Sequence, residues 1–426
     1  MIVINAANGS LRHNRARYRF SNRILTVVQR TKPIVIVGGG MVGAAAALAL
    51  AESGFSVDVL EPQPEAEYQP EEPYDLRISA VTADNIALLE RLGIWEDLLQ
   101  ARHQVFHELA VKEQGGPWLE FGDANGPALG YMLENRVLQR ALQQQCRRHP
   151  LVRFHNERFA ALEHQSGGDN GTTEFVVRTA SGTAIPYRAL LGADGAQSPV
   201  RHALGLGTSG RTYREHCLLA LVKMPQPVPA RTWQIFAGDE VHALLPLAEH
   251  HACLIVYAAE PQLNGIKRLD SAGQQKALEQ RFASEIGEFK LVKMGSFPLR
   301  HQQVLTPWSG QRAGGVIGDA AHAVHPLAGQ GVNLGFRDVQ AIFSAAGSAN
   351  DETISDVLAR TLMQRKLENN VMGHGLDGIS RLFRSEHRGM VRLRRAAFAL
   401  LASSRGPIPA LRGWVGTFAG GRFTSK

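Results

Sequence analysis

A short β-branched run from Ile34 to Val37, then Gly38-Gly39-Gly40-Met41-Val42-Gly43, then an alanine-rich stretch from Ala44 to Glu52, constrains this chain more than any other segment. The order predicts a buried strand, a tight turn and a helix. Gly38 permits the turn, Gly40 lets the backbone approach a pyrophosphate, and Gly43 lets the helix lie close on the strand. A second predicted strand, Ser56 to Leu60, ends in Glu61, a carboxylate placed to take both hydroxyls of a ribose. Strand, glycines, helix, strand and acid in that order point to a Rossmann-like dinucleotide-binding lobe in an α/β protein.

Two further elements repeat the theme of an apolar strand ending in an acid. Gly314 to Ile317 leads into Gly318-Asp319 and on through Gly331-Val332-Asn333 to Asp338. The spacing of Leu334, Val339 and Ile342 predicts a helix from Val332, so Gly329, Gln330 and Gly331 fall at its amino terminus. Free N–H groups and the positive end of the helix dipole collect there, and glycines leave that backbone open to a flat or anionic group. Leu190-Leu191-Gly192-Ala193-Asp194-Gly195 is the third such strand end, with Pro199 suited to a helix's first turn. Singly, each fits an ordinary crossover or Asp-Gly turn; together, one dinucleotide site accounts for all three.

On these residues, and on Asp75-Leu76-Arg77-Ile78-Ser79-Ala80 and Tyr131-Met132-Leu133-Glu134-Asn135, the chain resembles the FAD-dependent aromatic hydroxylases. Within them it is similar to the bacterial ubiquinone-biosynthesis hydroxylases, which add oxygen to polyprenylated phenol or quinol rings. The resemblance runs from Pro33 to the end of the chain. It implies a FAD-binding lobe of the group A flavoprotein monooxygenase type (33–102, 129–210 and 299–350), an antiparallel-sheet substrate lobe (103–128 and 211–298) and a C-terminal helical region (351–426). Residues 1–32 are expected to be a basic, disordered extension. Gly38, Gly40, Gly43, Glu61, Arg77, Asn135, Asp194, Gly195, Gly318, Asp319, Gly331, Val332 and Asn333 are the implied cofactor contacts. Pro326, Leu327, Gly329 and Gln330 would border the flavin, with no side chain assigned to catalysis and no metal; His322 and His325 are expected to be scaffold.

In such a family NAD(P)H reduces the flavin, oxygen adds to give a C4a-hydroperoxide, and its distal oxygen passes to the ring. The demethoxyubiquinol step is the leading expectation, with the polyprenylphenol step of the same pathway, or another aromatic, as alternatives. A non-enzymatic FAD-stabilised scaffold in a biosynthetic complex is the reading from a different class. A nicotinamide dehydrogenase would leave Gly318 to Asp338 unexplained, and a flavin halogenase would need a Trp-x-Trp that the five scattered tryptophans do not form. No separate NAD(P)H domain is expected, so the donor should dock transiently or be a reductase partner.

Composition sets the remaining bounds. No apolar run approaches the ~20 residues of a spanning helix. Cys146, Cys217 and Cys253 lie far apart, which suits a reducing compartment and offers neither a disulfide framework nor a zinc site. Residues 1–32 carry seven Lys or Arg and no acid, and residues 381–426 carry ten against Glu386 alone. The intervening body is therefore acidic, which argues against nucleic acid and for basic ends that meet an anionic surface. At the C-terminal end, Met390, Leu393, Ala397 and Leu400 share one helical face, and Arg388, Arg392 and Arg395 another. Such a helix suits either a membrane surface or the FAD lobe, so the expected location is cytoplasmic, peripheral on the inner membrane. Two local expectations complete the set. Arg77 should begin a helical stretch carrying Ile86, Leu89 and Leu92 and stopped by Gly93, and Trp233, Phe236 and Phe297 are substrate-lining candidates or core.

Overall fold

Two large sheets organise the residues described by the computed structural model, which are 32–63, 68–166, 173–323 and 330–384. The first runs Trp308–Ser309, Gly314–Val316, Ala189–Gly192, Ile34–Val37, Val57–Leu60, Val152–His155, and is parallel except at its Trp308–Ser309 edge. Ile34 and Ile36 face a core shared with the helices, whereas Val35 and Val37 face the antiparallel strands Phe159–Ser166, Thr173–Thr179 and Ala184–Pro186. A strand covered on both faces needs an apolar residue at every position, which Ile-Val-Ile-Val supplies. The helix Met41–Glu52 contacts the helices Asn135–Arg148 and Gln330–Ala346. Its run of small, buried alanines lets both neighbours approach.

Strand order reverses beside Ile34–Val37, since the chain's next strand lies on one side of it and Ala189–Gly192 on the other. Open parallel sheets form their ligand crevice at the carboxyl ends of the strands flanking such a point. Glu61, Asp194 and Asp319 all follow strand ends there.

The second sheet has eight strands, ordered His322–Ala323, Lys290–Val304, Thr208–Lys223, His251–Ala259, Glu240–Pro246, Arg231–Ala237, Glu108–Glu113, Leu119–Gly122. Alternation along its strands separates two faces. Leu218, Trp233, Ile235, Leu254 and Val256 share a core with Leu263, Leu278 and Phe282 of the helices Glu260–Lys267 and Ser271–Ile286. Cys217, Leu219, Ala243, Ile255 and Tyr257 belong to the opposite face. Lys290–Val304 carries this sheet into the 299–350 stretch, where His322–Ala323 pairs with Gln302 and Gln303. The Gly318 turn therefore sits where the two sheets meet.

One local expectation is corrected. Arg77 precedes a strand, Ile78–Thr82, and the helix begins only at Ala83 and ends at Arg91. Antiparallel pairing of Ile78–Thr82 with Gly130–Glu134 supplies hydrogen bonds from about fifty residues away, which outweigh local helical preference. The helix expected from Val332 starts at Gln330 and the one expected from Ala44 starts at Met41, so both amino termini lie closer to the glycines than their apolar periodicity indicates. A helix spans Ile354–Arg384. Pro326, Leu327, Gly329, His325, residues 1–31 and the arginines at 388, 392 and 395 lie outside the described residues.

Candidate cofactor and substrate site

A cleft of about 820 Å³ separates the carboxyl ends of the parallel strands from the second face of the eight-stranded sheet. Gly40, Arg77, Asp319 and Gly331 line one wall, and Gln234 and Phe297 are on the other.

The glycine turn is built by close backbone approach. Gly38 has φ +100°, and a Cβ there would fall 2.4 Å from the Ala193 carbonyl oxygen. At Gly43 a Cβ would be 1.9 Å from the Gly38 carbonyl oxygen, because the helix lies directly on the turn. Gly40 differs: a Cβ would meet nothing within 4 Å, so its bare side opens on the cleft at the start of the helix Met41–Glu52. Glu61 accepts from Gly39 N at 2.8 Å and Gln63 N at 3.0 Å, which fixes its carboxylate at the strand end. Gln143 Nε2 donates to the Gly39 carbonyl at 2.8 Å and ties the turn to a second helix.

Asp194 shapes the second turn more than it faces the cleft. Its Oδ2 accepts from Val200 N at 3.0 Å, while its Oδ1 is buried without a hydrogen-bond partner among the described residues. Burial pushes its pKa up, against the lowering effect of Ser198, the Val200 N–H and Arg201. Gly195, at φ +81°, lines the cleft itself. Arg201, which no local motif singles out, donates to Ala320 O at 2.8 Å and Ala196 O at 3.0 Å. It thereby bridges the second and third turns.

The third turn is held from behind. Gly318 takes φ +56°, and its N–H donates to Asp338 Oδ2 at 3.2 Å. The same carboxylate meets His322 Nε2 at 2.5 Å, Arg365 Nε at 3.1 Å and Asn369 Nδ2 at 3.0 Å, so one buried aspartate joins the turn to two helices. Asp319 projects into the cleft. Crowding by the cleft walls raises its pKa by desolvation, while His322 and Arg77 pull it down. Gly331 is open to the cleft, with nothing within 4 Å of where a Cβ would stand, and Val332 lines it. Asn333 is fully buried and turned the other way: its side chain accepts from Thr82 N at 3.1 Å and Asn85 Nδ2 at 2.9 Å and donates to Ala80 O at 2.8 Å. Only its backbone faces the helix amino terminus. Asn135 accepts from Ser79 Oγ at 2.6 Å, and its N–H donates to Arg77 O at 2.9 Å, which leaves the exposed Arg77 side chain beside the cleft.

The sheet wall has a different character. Across the strands, Gln234 pairs with Ala243, Ala243 with Ile255, Ile255 with Leu219, and Leu219 with Gly295. Among the described residues, the charged ones lining the cleft are Arg77 and Asp319, both on the dinucleotide side. Of the three aromatic candidates, Phe297 lines the cleft, Phe236 is packed in the core beneath it, and Trp233 lies on the far face against Phe282. No cluster of His, Cys, Asp or Glu able to hold a metal occurs among the described residues.

The model of a family described as FAD binding domain matches residues 31–358. A 3-demethoxyubiquinol 3-hydroxylase of Escherichia coli K12 is 36% identical over 352 residues, spanning 81% of this chain and 88% of the relative. A ubiquinone hydroxylase of Rhodospirillum rubrum is 30% identical over 362 residues, spanning 83% of this chain and 82% of the relative. The crystal structure of p-nitrophenol 4-monooxygenase from Pseudomonas putida DLL-E4 superposes with a TM-score of 0.70, covering 92% of this chain and 99% of that one; at 17% identity it speaks for the fold alone.

Proposed function

The chain belongs to the FAD binding domain family and is an FAD-dependent aromatic-ring monooxygenase, and from that premise we propose that it hydroxylates a polyprenylated ubiquinone precursor. The observation that carries this is the pairing of a dinucleotide cradle with a sheet wall whose described lining residues are uncharged and largely apolar, across one cleft. A neutral ring with a hydrocarbon tail can enter such a cleft without stranding a charge, whereas an aromatic carboxylate would find no cation among the described residues with which the sheet lines the cleft. The demethoxyubiquinol step is the leading assignment, supported by the relative that bears that name; the polyprenylphenol step is the second.

The residues present fit FAD. Gly40 and Gly331 would be covered by any side chain but are bare toward the cleft, Glu61 is fixed at the end of the second strand, and the Asp194 oxygen without a partner among the described residues is buried beside the cleft-lining Gly195. When bound, FAD stores the electrons delivered by NAD(P)H and activates O₂. The protein's own contribution is placement and electrostatics. The turn from Gly38 to Gly43 would receive the pyrophosphate, Glu61 the ribose, and Arg77, Asn135 and Asp319 the middle of the cofactor. The N–H groups at Gly331, Val332 and Asn333, at the positive end of a helix, would stabilise negative charge on the ring. The sheet wall keeps water from the reacting carbon and holds the ring in place. Gln330 borders this region by sequence, next to Gly331.

Contact with a membrane surface or a biosynthetic complex belongs to the same proposal. It is supported by the ten basic residues against one acid in residues 381–426 and by the need to collect a polyprenyl tail from lipid. No helix among the described residues is long and apolar enough to cross a membrane. The test is a quinone profile of cells lacking the gene and of the same cells complemented with it. A precursor one oxygen short should accumulate and disappear on complementation, and its fragmentation would identify the ring position. A normal quinone pool in a strain without a redundant sister enzyme would refute the assignment.

A further inference from the structure

The sheet wall offers hydrogen bonding at few points, and these are not equivalent. Thr232 spends its hydroxyl on the Leu244 carbonyl at 2.8 Å. Tyr257 is 3% exposed and Cys217 1%, so both belong to the core behind the wall. Gln234 alone among these is half-buried and open to the cleft, and its side-chain amide makes no hydrogen bond with a described residue. Its cross-strand neighbour Ala243 is too short to cover it, and the row continues through Ile255 and Leu219 to Gly295, which has no side chain. Val111 stands directly across on the other neighbouring strand, and Leu109, Val241 and Leu245 take three of the four diagonal positions, with Glu113 at the fourth, so the frame around this free amide is mostly apolar.

We propose that Gln234 is the specificity-determining residue of the substrate wall, where its amide hydrogen-bonds a ring hydroxyl or methoxyl and so sets which edge of the ring faces the dinucleotide wall. This rests on the functional assignment above and deepens it. A half-buried amide in apolar surroundings strongly favours a ligand that satisfies it, because an apolar ring would displace its water and return nothing. An uncharged amide also selects a neutral ring oxygen over a carboxylate, for which a guanidinium or ammonium is the better partner. On the same strand Trp233 and Ile235 point into the opposite core, so the role falls to Gln234 by the parity of the strand.

The test compares two neutral ligands that differ by one oxygen, geranylphenol and geranylbenzene, titrated into the FAD-loaded protein and followed by the shift of the flavin absorption spectrum. The native protein should bind the phenol about tenfold more tightly, the net worth of one neutral hydrogen bond. Gln234→Leu should lose that preference, with geranylbenzene bound at least as well as before and the unliganded flavin spectrum unchanged. Gln234→Met keeps the length of the side chain and serves where the leucine disturbs the fold. Equal loss of both ligands would mean that Gln234 acts by shape, and an unchanged preference that it does not touch the ring; either overturns the inference. If the native protein binds both ligands without preference, the inference fails and the functional assignment stands. If it holds FAD yet binds neither, both fail.

Discussion

Asp338 carries the most consequential single substitution outside the cleft. Its carboxylate is 3% exposed and gathers His322, Arg365, Asn369 and the Gly318 N–H, with the His322 and Arg365 side chains themselves 6% and 9% exposed. Asp338→Asn keeps the shape and removes the charge, leaving the buried His322 imidazole without its anion and the Arg365 guanidinium with Glu368 as its remaining one. Breaking such a pair by removing one partner costs about 3–5 kcal/mol, and the lower end applies because the amide still offers one acceptor. The pH dependence is distinctive. Burial alone would lower the His322 pKa, yet the Asp338 anion raises it above its ordinary 6.5. Burial alone would raise Asp338, yet His322 and Arg365 hold it below its ordinary 3.8. Stability from His322 is therefore complete below pH 6.5 and lost as pH rises through its folded pKa. Stability from Asp338 is complete above pH 3.8 and lost as pH falls through its folded pKa, so the pair contributes fully only between those limits. Urea unfolding at pH 5.5 and pH 8, with FAD at fixed excess, should show the native protein less stable at pH 8 through this pair. The variant should be about 3 kcal/mol weaker at pH 5.5, with that part of the pH slope gone. A loss under about 1 kcal/mol, or identical slopes in the two proteins, would refute the coupling.

Asp319→Ala should fold and lose FAD, since its carboxylate projects into the cleft and accepts no hydrogen bond from a described residue; absorbance of the purified protein reports it. Gly331→Val has free space around its Cβ and should leave the fold intact while obstructing the flavin ring, giving weakly bound, spectrally altered FAD. If both variants stay yellow and turn over, the flavin is placed wrongly. Charge reversal at Arg388, Arg392 and Arg395 should weaken sedimentation with anionic vesicles, and more so at low salt; unchanged binding would favour a helix packed on the protein.

What can be read from the chain before its fold depends on how far apart the interacting parts lie. The turn from Gly38 to Gly43 and its acid at Glu61 are legible because strand, turn and helix are contiguous, and the contacts that demand glycine arise within one supersecondary unit or from Ala193 against it. Asn333 shows the opposite case. Its position at a helix amino terminus marks it as a ligand, but its side chain is consumed by Thr82 and Asn85 about 250 residues away, a pairing no local pattern announces. The pairings of Arg201, His322, Asp338 and Arg365 are hidden for the same reason, since their partners lie on other elements. The strand at Ile78 is masked because its hydrogen bonds come from Gly130–Glu134, while the helix after it supplies the local periodicity. The substrate wall is closer to hand. Trp233 and Phe236 are three residues apart on one strand, so period two already forbids both from facing the ring. Choosing the face that carries Phe236 selects Gln234 with it, and the free amide rather than the larger aromatic is then the group with a hydrogen bond left to make.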